Sequence, residues 1–389
     1  MNLSRRDLLA TSAALGALAA LPRAQQGTTP SATGDAPRVL VLGGTGFLGP
    51  HIVDACKARG WKLTLFNRGK TRPTLFAEDK DVETLLGNRD GDLKSLADAV
   101  AAGRRWEAVV DDSGYVPRVV KDSATLLGPA AKLYIFISTL SVYSDTTTMG
   151  QDESGPLATM PDETNEEVMT YYGALKALCE KVVQDTCPGH ATCLRPGLIV
   201  GPGDGSDRYT YWPARMARGG DVLGPGTGDD PVQYVDVRDL AAFVARCIAD
   251  QTTGTYNCNG PATQLLMKGL LGACDTAAAE LVPDRPATSI TWVPAAFLAE
   301  QQVSAWQDMP VWVPADEENK GFHTMTSAKG IAKGLTFRPA LDTARDTLSW
   351  WNAQPPERRA KLRAGLSPER EAAVLAAWHA RQDGEKKPG

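Results

Sequence analysis

Histidine is scarce in this chain. Its four copies, His51, His190, His323 and His379, are scattered without the close spacing of metal ligands, so no metal centre is expected. Cysteine is only slightly more frequent: seven residues, an odd number, spread from Cys56 to Cys274. That excludes the disulfide framework of a small secreted domain. Cys187 and Cys193 are close enough in sequence to pair in an oxidising compartment, with separate buried thiols as the alternative. Basic charge is not in excess either. Forty-one Lys and Arg stand against 46 Asp and Glu, a formal net charge of −5, which offers no footprint for nucleic acid. The N-terminal apolar run, Leu8–Leu21, has about fourteen residues and is interrupted by Thr11 and Ser12. A spanning helix needs roughly 20, so no stable membrane anchor is expected.

What is present suits a soluble enzyme: 389 residues, 43% hydrophobic and 22% charged. The first 26 residues carry Ser4-Arg5-Arg6-Asp7-Leu8-Leu9 ahead of the apolar run. This stretch resembles a twin-arginine export signal. It implies passage through the export machinery in the folded state and a periplasmic or otherwise exported location. Residues 27–37 are small and polar and read as a linker.

From Arg38 onward strands alternate with helices. Strands are expected at Arg38–Leu42, Lys62–Phe66, Val82–Leu86, Ala108–Val110, Leu133–Ile137 and Thr192–Val200. Helices are expected at Phe47–Arg59, Leu93–Ala102, Tyr171–Gln184 and Asp236–Asp250. The fold class is therefore α/β, a doubly wound parallel sheet with a smaller C-terminal substrate lobe. The expected organisation is a sheet domain over 38–258, to whose neighbouring lobe 203–235 contributes. The lobe itself spans 259–345, and C-terminal helices fill 346–389. In the tail, Ser367 can cap a helix that begins at Pro368.

Gly43, Gly46 and Gly49 form G-x-x-G-x-x-G between a strand and a helix, with Phe47 and Leu48 at the helix start. Glycines at these places let a chain turn tightly, approach a pyrophosphate with bare backbone, and pack a helix on a sheet. The helix N-terminus then offers free N–H groups to the phosphates. The second strand leads into Asn67-Arg68-Gly69-Lys70, with no acidic residue to bind a ribose 2′-hydroxyl. Arg68 and Lys70 suit a 2′-phosphate, which favours NADP over NAD. Asn88, after the third strand, and Asp112, after the fourth, are further cofactor candidates.

Tyr172 and Lys176 are four apart on one helix face. The ammonium is expected to favour the phenolate. A tyrosine pKa near 10 must fall by roughly 3 units to act at neutral pH, about 4 kcal/mol of electrostatic work. Lys176 can also hold ribose hydroxyls. At the end of the fifth strand stand Ser138-Thr139-Leu140-Ser141-Val142-Tyr143, hydroxyls placed where a substrate oxygen can be gripped.

These motifs, with Leu194-Arg195-Pro196 and Tyr234-Val235-Asp236-Val237-Arg238-Asp239-Leu240, occur in the order found in the extended short-chain dehydrogenase/reductases. The chain resembles that group, the NAD-dependent epimerase/dehydratase family, from about Arg38 to Pro261. The resemblance implies a Rossmann sheet, Thr139 as catalytic hydroxyl four residues before Tyr143, Tyr172 as acid/base, and Lys176 as its partner. It also places Asp112 beside the nicotinamide and gives Arg195 to the cofactor site. Sugar dehydratases of the family carry Asp-Glu after that threonine, where this chain has Leu140-Ser141, so dehydration is not expected.

An exported enzyme has no pool of free cofactor to draw on. An epimerase returns the hydride it takes and can keep one cofactor indefinitely. The expectation is thus a sugar epimerase-type oxidoreductase with a tightly held NADP or NAD. Its substrate would be a carbohydrate or polyol met by Ser141, Asp207, Arg208, Tyr211 and Arg215. Two alternatives stay open: an NADPH-dependent reductase of a small carbonyl compound, and a non-catalytic protein that keeps the cofactor fold. A homodimer is also left open.

Overall fold

The computed structural model describes residues 36–385. The signal and all but the end of the linker lie outside the described residues.

The central sheet follows from the apolar runs. Strand β1 (Arg38–Leu42) reads Arg-Val-Leu-Val-Leu and is buried from its second residue onward, as a strand covered on both faces must be. It pairs in parallel with β2 (Lys62–Asn67) on one side and β4 (Ala108–Asp111) on the other. The sheet continues with β3 (Val82–Leu86), β5 (Tyr134–Ile137), β6 (Ala191–Pro196) and β10 (Gly254–Cys258), in the order β10-β6-β5-β4-β1-β2-β3. Every pairing in it is parallel.

Alternation along each strand decides which helices cover it. Val39, Val41, Leu63 and Leu65 face α1 (Leu48–Lys57) and α6 (Val237–Asp250). Leu40, Leu42 and Phe66 face α2 (Lys94–Ala101), α3 (Pro117–Leu127) and α4 (Val168–Thr186). The order reverses between β1 and β4, and there the glycine turn after β1 lies beside the loop after β4. Ligands of open α/β sheets bind at such a reversal.

The strand expected at Thr192–Val200 is interrupted. Pro196 ends β6, and Gly197 lies so close to Asn259 that a Cβ would come within 2.3 Å of its Oδ1. The chain leaves the sheet there and resumes as β7 (Ile199–Val200), parallel to β9 (Pro231–Asp236) in a separate three-stranded sheet with β11 (Gly260–Leu266). Strands β8 (Gly220–Pro225) and β12 (Thr288–Val293) pair in parallel. These elements share a core with α5 (Tyr211–Met216), α7 (Met267–Leu281) and the helices Ala340–Asn352 and Pro368–Glu385. Ser367 does cap the last of these, its Oγ accepting from Arg370 N at 3.2 Å. All seven cysteines are buried free thiols, Cys187 and Cys193 included. Among the described residues no helix is long and apolar enough to cross a membrane.

Candidate active site

The glycine turn is built by close approach. Gly43 has φ +121°, a backbone region few side chains tolerate. A Cβ on Gly49 would fall 2.4 Å from the Gly44 Cα, so α1 can start directly against the turn only with glycine there. Gly46 has nothing within 4 Å of where its Cβ would be. The first turn of α1 holds no acidic residue, leaving the positive end of the helix uncompensated. Arg72, which the motif reading passed over, holds the turn from outside. Its guanidinium donates to the Thr45 carbonyl at 2.7 and 2.9 Å and also to the Gly46 carbonyl. Only the fold brings a residue 27 positions away to this turn.

The turn opens into a cavity of about 680 Å³, within the range of small-molecule and cofactor sites. Gly43, Gly46, Phe47, Leu48, Asn67, Arg68, Asn88 and Asp112 all line it, as does Lys70. Gly49 does not; its part is the packing just described. Arg68 and Lys70 are exposed at the rim, and neither has an ion-pair partner among the described residues. The cradle, the free helix end and the unpaired cations fit a dinucleotide. Arg89, a residue without a sequence signal, also lines the cavity. It grips the fully buried Asp111 through both carboxylate oxygens, at 2.5 and 2.7 Å, and donates to Ser123 Oγ at 2.6 Å.

The residues expected to carry the chemistry stand at the other end. Thr139 caps the 3-10 turn Leu140–Val142, its Oγ1 accepting from Ser141 N at 3.1 Å. Tyr172 lies on α4 within hydrogen-bonding reach of that same hydroxyl. The join is tight: a Cβ on Gly173 would come within 2.1 Å of the Ser141 carbonyl oxygen. Tyr115 links this pair to the cavity. It lines the cavity and is 46% exposed, and its ring lies 6.4 Å from that of Tyr172.

Lys176 departs from expectation. Its ammonium is buried and donates to the Ile137 carbonyl at 2.6 Å and the Gly114 carbonyl at 2.8 Å. It also sits over the rings of Phe136 and Tyr115, 4.1 and 5.3 Å from their centroids. Burial pulls its pKa down to about 8, against the charges of Asp111 and Asp112. The Tyr172 phenol is not acidified here. Burial pushes its pKa up, opposed by the Thr139 hydrogen bond and the charge of Arg208. The four-residue spacing puts both side chains on one helix face, but the main-chain carbonyls claim the ammonium.

Four other expectations are corrected. Arg195 is not on the cofactor cavity; it forms a buried ion pair with Glu180 at 2.6 Å and donates to the Tyr143 hydroxyl at 2.8 Å. Asp207 is fully buried, paired with Arg358 and accepting from Arg363 N at 2.9 Å. Tyr211 is buried in the core, its ring 4.9 Å from that of Trp212. Arg215 is buried on Glu371, Nε to Oε1 at 2.7 Å, and donates to the Gly219 carbonyl at 2.9 Å. These three are buried and hold the C-terminal segment against α5 and its surroundings. Arg208 and Ser141 remain at the site. Arg208 acts on Tyr172 and sits over Trp306 at 5.8 Å, while Ser141 is exposed.

A parallel sheet with its glycine turn at the strand-order reversal defines a Rossmann-type chain. The chain belongs to the NAD dependent epimerase/dehydratase family, whose model matches residues 39–258. Residues 2–22 match the twin-arginine translocation signal sequence, which marks the chain for export across the membrane. Among curated proteins it is similar to the epimerase family protein SDR39U1 of Bos taurus, 26% identical over 237 residues, covering 58% of this chain and 75% of the bovine one. Two solved structures share the fold. The Bordetella bronchiseptica enzyme WbmH, in complex with NAD+, is 15% identical with a TM-score of 0.57, covering 82% of this chain and 99% of its own. The dTDP-glucose 4,6-dehydratase of Bacillus anthracis str. Ames, in complex with NAD, is 15% identical with a TM-score of 0.58, covering 84% and 100%.

Proposed function

We propose that this protein is an exported epimerase-type oxidoreductase. It would remove a hydride from a carbohydrate or polyol and return it, keeping one nicotinamide cofactor throughout. The observation that carries the reading is the cavity running from the glycine turn to Tyr115, beside Tyr172 and Thr139, on a chain with an export signal.

In this reading Gly43, Gly46 and the start of α1 receive the pyrophosphate, Arg72 keeps the turn in shape, and Asn67, Asn88 and Asp112 line the rest. The unpaired Arg68 and Lys70 favour the 2′-phosphate of NADP over the bare ribose of NAD. The nicotinamide, when bound, supplies the hydride acceptor and a positive charge. Thr139 holds the substrate oxygen, and Tyr172 takes the hydroxyl proton and gives it back. Arg208, and the cationic ring once present, lower the cost of the phenolate. Lys176 acts mainly by fixing the Gly114 and Ile137 carbonyls on which Tyr115 and Thr139 depend. Leu140 and Ser141 offer neither acid nor base for elimination, which argues against dehydration. Residues 259–345, with 203–235, form the substrate lobe, and Arg208 is its contribution to the site.

The test is a panel of carbohydrates and polyols in deuterated water without added cofactor, followed by NMR. The expected result is an epimer whose inverted carbon still carries protium, because the hydride that leaves is the one that returns. Conversion only on addition of NADPH would favour the reductase instead.

A further inference from the structure

Asp111 and Asp112 are adjacent carboxylates at the end of β4, and the structure treats them differently. Asp111 is fully buried and fully partnered: Arg89 holds both its oxygens, the Tyr134 hydroxyl donates to Oδ2 at 3.2 Å, and Ser113 N donates to Oδ1 at 3.2 Å. Asp112 turns into the cavity and takes no side-chain hydrogen bond or ion pair from any described residue. It stands against the glycine turn, its Oδ2 3.7 Å from where a Gly43 Cβ would be. A carboxylate on the wall of an anion-binding cradle is costly to leave unpaired and does nothing to attract phosphates.

The surroundings explain why it stays unpaired. The neighbouring Arg89 guanidinium is committed to Asp111. The glycine turn opposite brings no charge. From α4, the Lys176 ammonium is tied to two carbonyls and reaches Asp112 only through space. Tyr115, two residues on from Ser113, feels both aspartates but carries no charge of its own.

We propose that Asp112 sets the redox preference of the cofactor site: its unpaired carboxylate favours the cationic, oxidised nicotinamide over the neutral, reduced one. The proposal rests on the reading that this cavity holds a nicotinamide dinucleotide. Both redox forms carry the same phosphates, so Asp112 discriminates only through the ring's charge. An epimerase must rest with its cofactor oxidised, and such a carboxylate biases it that way. Burial and the Asp111 charge push the Asp112 pKa up to about 7, with Lys176 opposing. The bias therefore grows as pH rises through neutrality and Asp112 ionises.

The experiment strips bound nucleotide from the purified full-length chain with denaturant, refolds it and loads it from defined NADP+/NADPH mixtures. The protein is then desalted and denatured, and the released nucleotides are separated by chromatography. Wild type is expected to retain the oxidised form preferentially, more at pH 8.5 than at pH 5.5. Asp112→Asn should lower that preference on the order of tenfold, the scale of one unit charge acting at about 10 Å through an effective dielectric near 20, and remove its pH dependence. Asp112→Glu, which keeps the charge, should restore it. An unchanged oxidised-to-reduced ratio in Asp112→Asn overturns the proposal while leaving the cofactor reading intact. Release of no nicotinamide from any variant overturns both.

Discussion

The Cα of Gly173 lies so close to Ser141 that a methyl group there would stand 2.1 Å from the Ser141 carbonyl oxygen. That contact sets α4 against the turn at the end of β5, and with it Tyr172 against Thr139. Gly173→Ala is expected to separate them. Overpacking of this kind costs about 1–3 kcal/mol, and denaturant unfolding should show a loss in that range. Turnover should fall well beyond what the stability loss explains, with bound dinucleotide unchanged. A variant as active and as stable as wild type would show that the contact relaxes freely.

Arg208 lowers the Tyr172 pKa from across the site, while burial raises it. Replacing Arg208 by Gln removes a pull toward the phenolate. The basic group seen in the kcat/KM pH profile should then titrate at higher pH, and activity at neutral pH should drop. Tyr172→Phe should erase that limb with a loss of about 100-fold or more. A profile that does not move in Arg208→Gln would place its charge outside the chemistry.

Arg215 and Glu371 are a buried pair joining α5 to the last helix, with Leu223 N also donating to Glu371 Oε1 at 3.1 Å. Removing one partner of such a pair strands the other. Arg215→Ala is therefore expected to cost about 3–5 kcal/mol in urea unfolding. Cofactor affinity and substrate KM of the remaining folded protein should be unchanged. A large KM increase without destabilisation would return Arg215 to the substrate.

His323 is buried, its Nδ1 accepting from Gln233 N at 3.1 Å, and burial pulls its pKa down to about 4. The folded state favours the neutral ring, so the unfolded chain binds the extra proton. Stability from this residue is complete above pH 6.5 and is lost as pH falls toward 4, by about 3 kcal/mol at most. His323→Gln should flatten that part of the stability–pH curve. An identical acid slope in both proteins would assign the lability to other groups.

The sheet was legible because parallel strands announce themselves. Runs such as Val39–Leu42 are apolar throughout and separated by helical patterns and glycines. The glycine turn was legible for a related reason: a tight strand–turn–helix junction fixes glycines at fixed spacings. Direction was not. Lys176 has the right spacing from Tyr172, yet the carbonyls of Ile137 at the end of β5 and of Gly114 in the loop after β4 hold its ammonium, and no local pattern announces them. Arg195, Asp207, Tyr211 and Arg215 look like site residues in a list. Their partners Glu180, Arg358, Gly365 and Glu371 lie 15 to 156 positions away and bury them. Arg72 and Arg89 are the converse case: isolated arginines in loops carry no signal until the fold brings them to the glycine turn and to Asp111.

An exported epimerase must carry its own nicotinamide. The direct measurement is to purify it natively without added nucleotide, denature it, and quantify by mass spectrometry what is released. Close to one NADP or NAD per chain, surviving dialysis, is expected. An empty protein that turns over only when NADPH is supplied would contradict it.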